Sequence, residues 1–189
     1  MKRIVTIALG LLMATAAGSA QQGGAPQSAP QDPAIEKALM PAPRQMKEGA
    51  TVIKFKADGT YDTLKPGTNR LVCYDRSGQP GQQPFAVQCT SVANIPRVAQ
   101  NLKFEAMPEK GKKELEAAEK DGTRVKPEFG SVWYTMNAPD KEHATRVHVT
   151  IAVPGATTAS MGLPSDNKQG GVWIMNAGTS TAHLMTPGS

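Results

Sequence analysis

"TVIKFKADGTYDTL" (Thr51–Leu64) decides the fold class of this 189-residue chain. Ile53 and Phe55 alternate with Lys54 and Lys56, the period of a half-buried strand. Asp58-Gly59 is a hairpin turn pair, and a second strand starts at Thr60. Further strand signals follow on both sides of a helical middle. "LVCY" (Leu71–Tyr74) puts Leu71 and Cys73 on one face. After the Gly/Pro/Gln loop 77–84, Phe85, Val87 and Cys89 share a face. "GSVWYTM" (Gly130–Met136) is apolar, and "TRVHVTIAVPG" (Thr145–Gly155) alternates cleanly. "GGVWIMNAG" (Gly170–Gly178) is apolar throughout, which predicts an inner strand with Trp173 or its neighbours heavily buried.

The middle predicts two helices. In Asn94–Met107, residues Ile95, Val98, Ala99, Leu102 and Ala106 recur at spacings of three and four, and Pro108 stops the pattern. Lys112–Gly122 is a strong helix former with Leu115 as its only large apolar residue, and Gly122 suits its end. Together these elements predict an α+β fold: a largely antiparallel sheet with two or three helices packed on one side and one disulfide hairpin.

The N-terminal end reads as an address. Lys2 and Arg3 precede the apolar run Ile4–Ala17, and Gly18 and Ala20 fit a signal-peptidase site. The expected organisation is a signal peptide at 1–20, a flexible leader with a short helix at 21–47, and a single α+β domain at 48–189. No later stretch approaches the length of a membrane span. Export to the periplasm or the extracellular space follows, and there Cys73 and Cys89 pair as a disulfide between neighbouring strands.

Composition excludes several functions. The net charge is +5, of which Lys2 and Arg3 supply two, and the remaining cations alternate with acids in "EKGKKELEAAEKDG". With two Trp, three Tyr and four Phe, the chain lacks the basic, aromatic-studded stripe of a nucleic-acid binder. It carries no G-x-S-x-G, H-E-x-x-H, P-loop or dinucleotide glycine fingerprint.

Three histidines remain. His143 lies in a polar loop, and His148 sits on the polar face of its strand. His183 follows a bend at Gly178 and the hydroxyl residues Thr179, Ser180 and Thr181. The candidate site is His148, His183, Asp166 and Met185. A histidine pair near methionine would suit copper or zinc. The competing expectation is that His183 closes the sheet, half-buried, with one nitrogen bonded to a carbonyl or carboxylate.

The stretch "GLPSDNKQGGVWIMNAGTSTAHLMTPG", with "ATVIKFKADGTYDTLKPGTNRLVC" and "VHVTIAVPG", resembles a family of small secreted bacterial proteins of unassigned activity. Its members end in G-T-x-x-x-H-[LI]-M-x-P. The matching positions are Cys73, His148, Asp166, Gly170, Gly171, Gly178, Thr179, His183, Met185 and Pro187. The resemblance covers roughly 51–73 and 146–187. It implies export and a single domain, and no mechanism. The expected function is a non-enzymatic binding module for a small molecule, envelope component or protein, without a cofactor. The alternative is a metal or acid–base site at His148 and His183.

Overall fold

A computed structural model describes residues 32–187, which fall in one compact unit. The expected signal peptide and most of the expected leader lie outside these residues. The chain forms an eight-stranded sheet. Its strands are β1 (Thr51–Phe55), β2 (Tyr61–Lys65), β3 (Leu71–Asp75), β4 (Phe85–Ser91), β5 (Val132–Ala138), β6 (His148–Ala152), β7 (Trp173–Met175) and β8 (His183–Met185). Their order is β2-β1-β3-β4-β5-β6-β8-β7. Every neighbouring pair is antiparallel except β1 with β3. The fold is α+β.

The opening hairpin forms as its sequence dictates. Gly59 adopts φ 85°, open to glycine at little cost, and the Asp58 carboxylate accepts from the Thr60 amide at 2.9 Å. Cys73 sits directly opposite Cys89, their Cα atoms 4.0 Å apart, and the two form the expected disulfide in a fully buried position.

The helices are α1 (Pro33–Ala38), α2 (Arg44–Lys47), α3 (Ile95–Glu105), α4 (Pro108–Asp121) and α5 (Thr158–Met161). They do not share one side. Residues 72 and 74 point away from residue 73, so the two faces of β3 carry separate cores. Ala38 and Leu39, at the end of α1, pack with Val52, Leu71, Cys73 and Cys89. On the other face, Ile95 and Val98 of α3 pack with Ile53, Val72 and Tyr74. Both faces of the central strands are therefore buried, and β1 is more than half-buried. The leader helix belongs to the core, so the packed body includes α1 and does not start at residue 48. Leu39 is 2% exposed.

Two other expectations change. The segment 170–178 is not an inner strand: β7 has three residues and forms the sheet edge. The expected heavy burial falls on the neighbour Ile174, 1% exposed, which packs beside Val153, Ala156 and Ala182, while Trp173 is half-buried and Met175 is exposed. The chain turns back after β7 and inserts β8 between it and β6, which leaves β7 with one neighbour. Pro108 does not separate the helices by a loop. It opens α4 at the first turn, where its missing N–H costs nothing. The tight α3–α4 junction requires Gly111, because a Cβ there would lie 1.8 Å from the Phe104 carbonyl oxygen.

Candidate functional site

The half of the sheet that α3 does not cover with apolar side chains is the half that forms a cleft. On α3, Ile95, Val98 and Leu102 face β1 and β3. Arg97 and Asn101, four residues apart, lie on the adjoining stripe of the helix. They overhang Trp133 of β5 and Thr150 and Ala152 of β6. The last two strands and their turn add Asn176, Thr181, Ala182 and His183, and Pro127 closes one wall. The cleft has a volume of about 240 Å³.

Asn94 fixes the start of α3 over this half of the sheet. Its fully buried amide donates to Thr90 Oγ1 at 2.8 Å and to Ser131 Oγ at 2.9 Å, and accepts from the Glu128 amide at 2.8 Å. The Tyr74 hydroxyl, on the same face of the sheet as Trp133, donates to Gln88 Oε1 at 3.1 Å. Burial pushes the Tyr74 phenol far above its usual range, so it stays neutral.

Arg97 is 3% exposed, yet it forms no ion pair with a carboxylate among the described residues. Its Nη1 donates to the Val125 carbonyl at 2.5 Å and to Ser180 Oγ at 2.9 Å. Burial, and next the nearby Arg124 charge, pull its pKa down to about 10 against the opposing pull of the Glu119 carboxylate. Arg124 is also buried, at 4% exposed. It donates to Gln100 Oε1 at 2.6 Å and to Asn101 Oδ1, and its guanidinium lies 5.1 Å from the Phe104 ring centroid. Its Nε has no hydrogen-bond partner and stands 3.9 Å from Glu119 Oε1. Glu119 in turn accepts from the Ser180 amide and hydroxyl, which ties the C-terminal turn to α4. Glu105, the other acid nearby, is engaged by the buried Arg76.

The hydrogen bonds also set which groups face the cleft as donors. Asn101 Oδ1 is occupied by Arg124, so the amide presents Nδ2–H₂ as its free end. His183 is half-buried, and its Nδ1 lies 2.7 Å from the Thr181 carbonyl oxygen. A carbonyl only accepts, so Nδ1 carries a proton and donates it there. Thr179 Oγ1 donates to the Asn176 carbonyl at 2.8 Å and accepts from the Thr181 amide at 3.1 Å. The expected sheet-closing role of His183 and the hydroxyl turn is present, and the same ring lines the cleft.

The four expected site residues do not converge. His183 stands opposite Ala152 on β6, four residues along from His148. The two histidines share a face but are offset by about 13 Å along the strands, too far for one ion. Asp166 folds back on its own loop, accepting from the Lys168 amide at 3.1 Å and pairing with Lys168 Nζ at 3.2 Å. Met185 lies beside Thr150 and Trp173. Among the described residues, no three His, Cys, Asp or Glu side chains gather as a metal-binding group. His143 is exposed, with Asp140 at 2.6 Å.

Sequence reasoning missed Arg97, Asn101, Arg124, Glu119 and Trp133. One signal was present in "NIPRVAQN": a cation and an amide at i,i+4 beside the apolar stripe. Charged helix residues are ordinarily solvated, so only packing distinguishes this pair. Comparison with known proteins adds nothing to this assignment, since no family model, curated protein or solved structure matches the chain.

Proposed function

We propose that this protein is an exported, non-enzymatic binding module, and that a small ligand occupies the cleft between α3 and the β5–β6–β8 half of the sheet. One observation carries the reading: a preformed concavity in which a buried arginine, an oriented amide and a tryptophan line the same space. Small-ligand sites have this composition, an apolar wall with a few placed polar groups. At about 240 Å³ the space suits a ligand smaller than a typical drug.

Export is supported by the signal-like pattern at 1–20 and by the Cys73–Cys89 disulfide, which persists in oxidising compartments. No helix among the described residues is long and apolar enough to cross a membrane. The C-terminal stretch that resembles the secreted family bears on the same site. Gly178, with φ 82°, makes the bend after β7, Thr179 stabilises it, and His183 lines the cleft.

The test is a titration of the isotope-labelled, disulfide-bonded protein with a panel of neutral, cationic and anionic fragments. Two-dimensional NMR should show shifts concentrated at the Trp133 indole and the amides of Thr150, Ala152 and Ala182. Shifts elsewhere, or none with any charge class, reject the cleft as the binding site.

A further inference from the structure

We infer that the ligand of this cleft is a small organic acid, its carboxylate seated on Arg97 and Asn101 and its apolar body against Pro127, Trp133 and Ala152. The inference rests on the binding-module reading and adds the chemical class.

Arg76, Arg97 and Arg124 are all buried, at 4%, 3% and 4% exposed. Among the described residues, two carboxylates face them. Glu105 is engaged by Arg76, and Glu119 is shared between Arg124 and the Ser180 hydroxyl. One cation is left over. It is Arg97, which reaches Glu119 only at a distance, across the Ser180 hydroxyl, and whose two hydrogen bonds go to neutral oxygens through the same nitrogen, Nη1. Proteins rarely bury a charge without a counter-ion, because the lost hydration is not repaid. Arg97 is not sealed in the core, however. It lines the cleft, where a bound anion can supply the missing charge.

The remaining groups select the anion. Asn101 offers Nδ2–H₂ and Thr150 a hydroxyl, both suited to carboxylate oxygens. A planar guanidinium matches a planar carboxylate. One unpaired cation calls for one negative charge, and the Pro127, Trp133, Ala152 and Ala182 surfaces call for an apolar remainder.

The probe is benzoate, with benzamide as its neutral counterpart of the same shape, added to the disulfide-bonded protein and followed at the Trp133 indole N–H. Benzoate should shift this resonance, and benzamide should bind at least about ten-fold more weakly, as expected for loss of a charge-assisted contact. Asn101→Asp supplies the second arm. It keeps the acceptor for Arg124 and places a carboxylate beside Arg97, so benzoate binding should disappear while thermal stability is unchanged or raised. An Asn101→Asp protein that binds benzoate as the parent does rejects the inference. Equal binding of benzoate and benzamide also rejects it and leaves the cleft as a binding site. If benzoate does not bind, the inference falls, and the cleft reading falls with it only when neutral and cationic fragments also leave Trp133 unmoved.

Discussion

Leu39→Ala tests whether the segment before the first strand is a leader or part of the core. Leu39 is 2% exposed and lies against β1, β3 and the disulfide. Fully burying a leucine side chain contributes about 1.5–3 kcal/mol, and the cavity left by truncation raises the cost to about 2–5 kcal/mol. Here α1 has only six residues, so the helix can settle partly into the space. We therefore expect about 2–3 kcal/mol, the lower part of that range. The assay is urea unfolding of the oxidised protein followed by tryptophan fluorescence. At a slope of about 1.5 kcal/mol per molar, the midpoint should fall by about 1.5 M. Gln45→Ala, on the exposed face of α2, serves as control and should shift stability by no more than about 0.5 kcal/mol. If Leu39→Ala moves the midpoint no further than this control, α1 is not part of the core and the argument from burial is wrong.

Replacing Cys73 and Cys89 together by alanine should cost about 3 kcal/mol, from the chain entropy of a sixteen-residue separation, read by the same urea assay. A loss below about 1 kcal/mol would show that the cross-strand packing suffices without the bond. Gly111→Ala should destabilise by about 1–3 kcal/mol although alanine favours helix, because its Cβ would strike the Phe104 carbonyl; a calorimetric Tm equal to or above the parent's contradicts this contact. The Asp75 carboxyl, despite the opposing cost of burial, is held below its usual range by Lys37 and Ser77. Its contribution is complete above the ordinary aspartate pKa of about 3.9 and is lost as pH falls through the lower folded value. Since Lys37 lies on α1, the protection of the Leu39 amide, measured against its intrinsic exchange rate, should fall below about pH 4 in the parent, and Asp75→Asn should show the lowered protection already at pH 7.

Local chemistry was enough to read several parts of this protein from sequence. The Asp58-Gly59 hairpin, the strand faces of Cys73 and Cys89, and the left-handed end of α4 at Gly122 each depend on a few adjacent residues. A period of two or a single glycine settles such features wherever the segment lies in the fold. The half-buried, carbonyl-bonded state of His183 was legible for the same reason, since its bend and hydroxyl turn are contiguous in the chain.

What tertiary structure decided is the order of strands and which helix covers which face. "GGVWIMN" is apolar enough for a central strand, but it became an edge because β8 pairs with β6 and β7 at once. Leu39 follows a Pro/Gly/Gln segment, and it is the apolar disulfide face, with Val52, Leu71, Cys73 and Cys89, that draws α1 onto the sheet. The cleft depends on pairings separated by dozens of residues: Arg97 with Ser180, Arg124 with Asn101, and Trp133 beside Thr150. No local period records such contacts. An arginine on a helix is soluble in almost any position, and it becomes an unpaired buried charge only when β6, β8 and the 123–128 segment close around it.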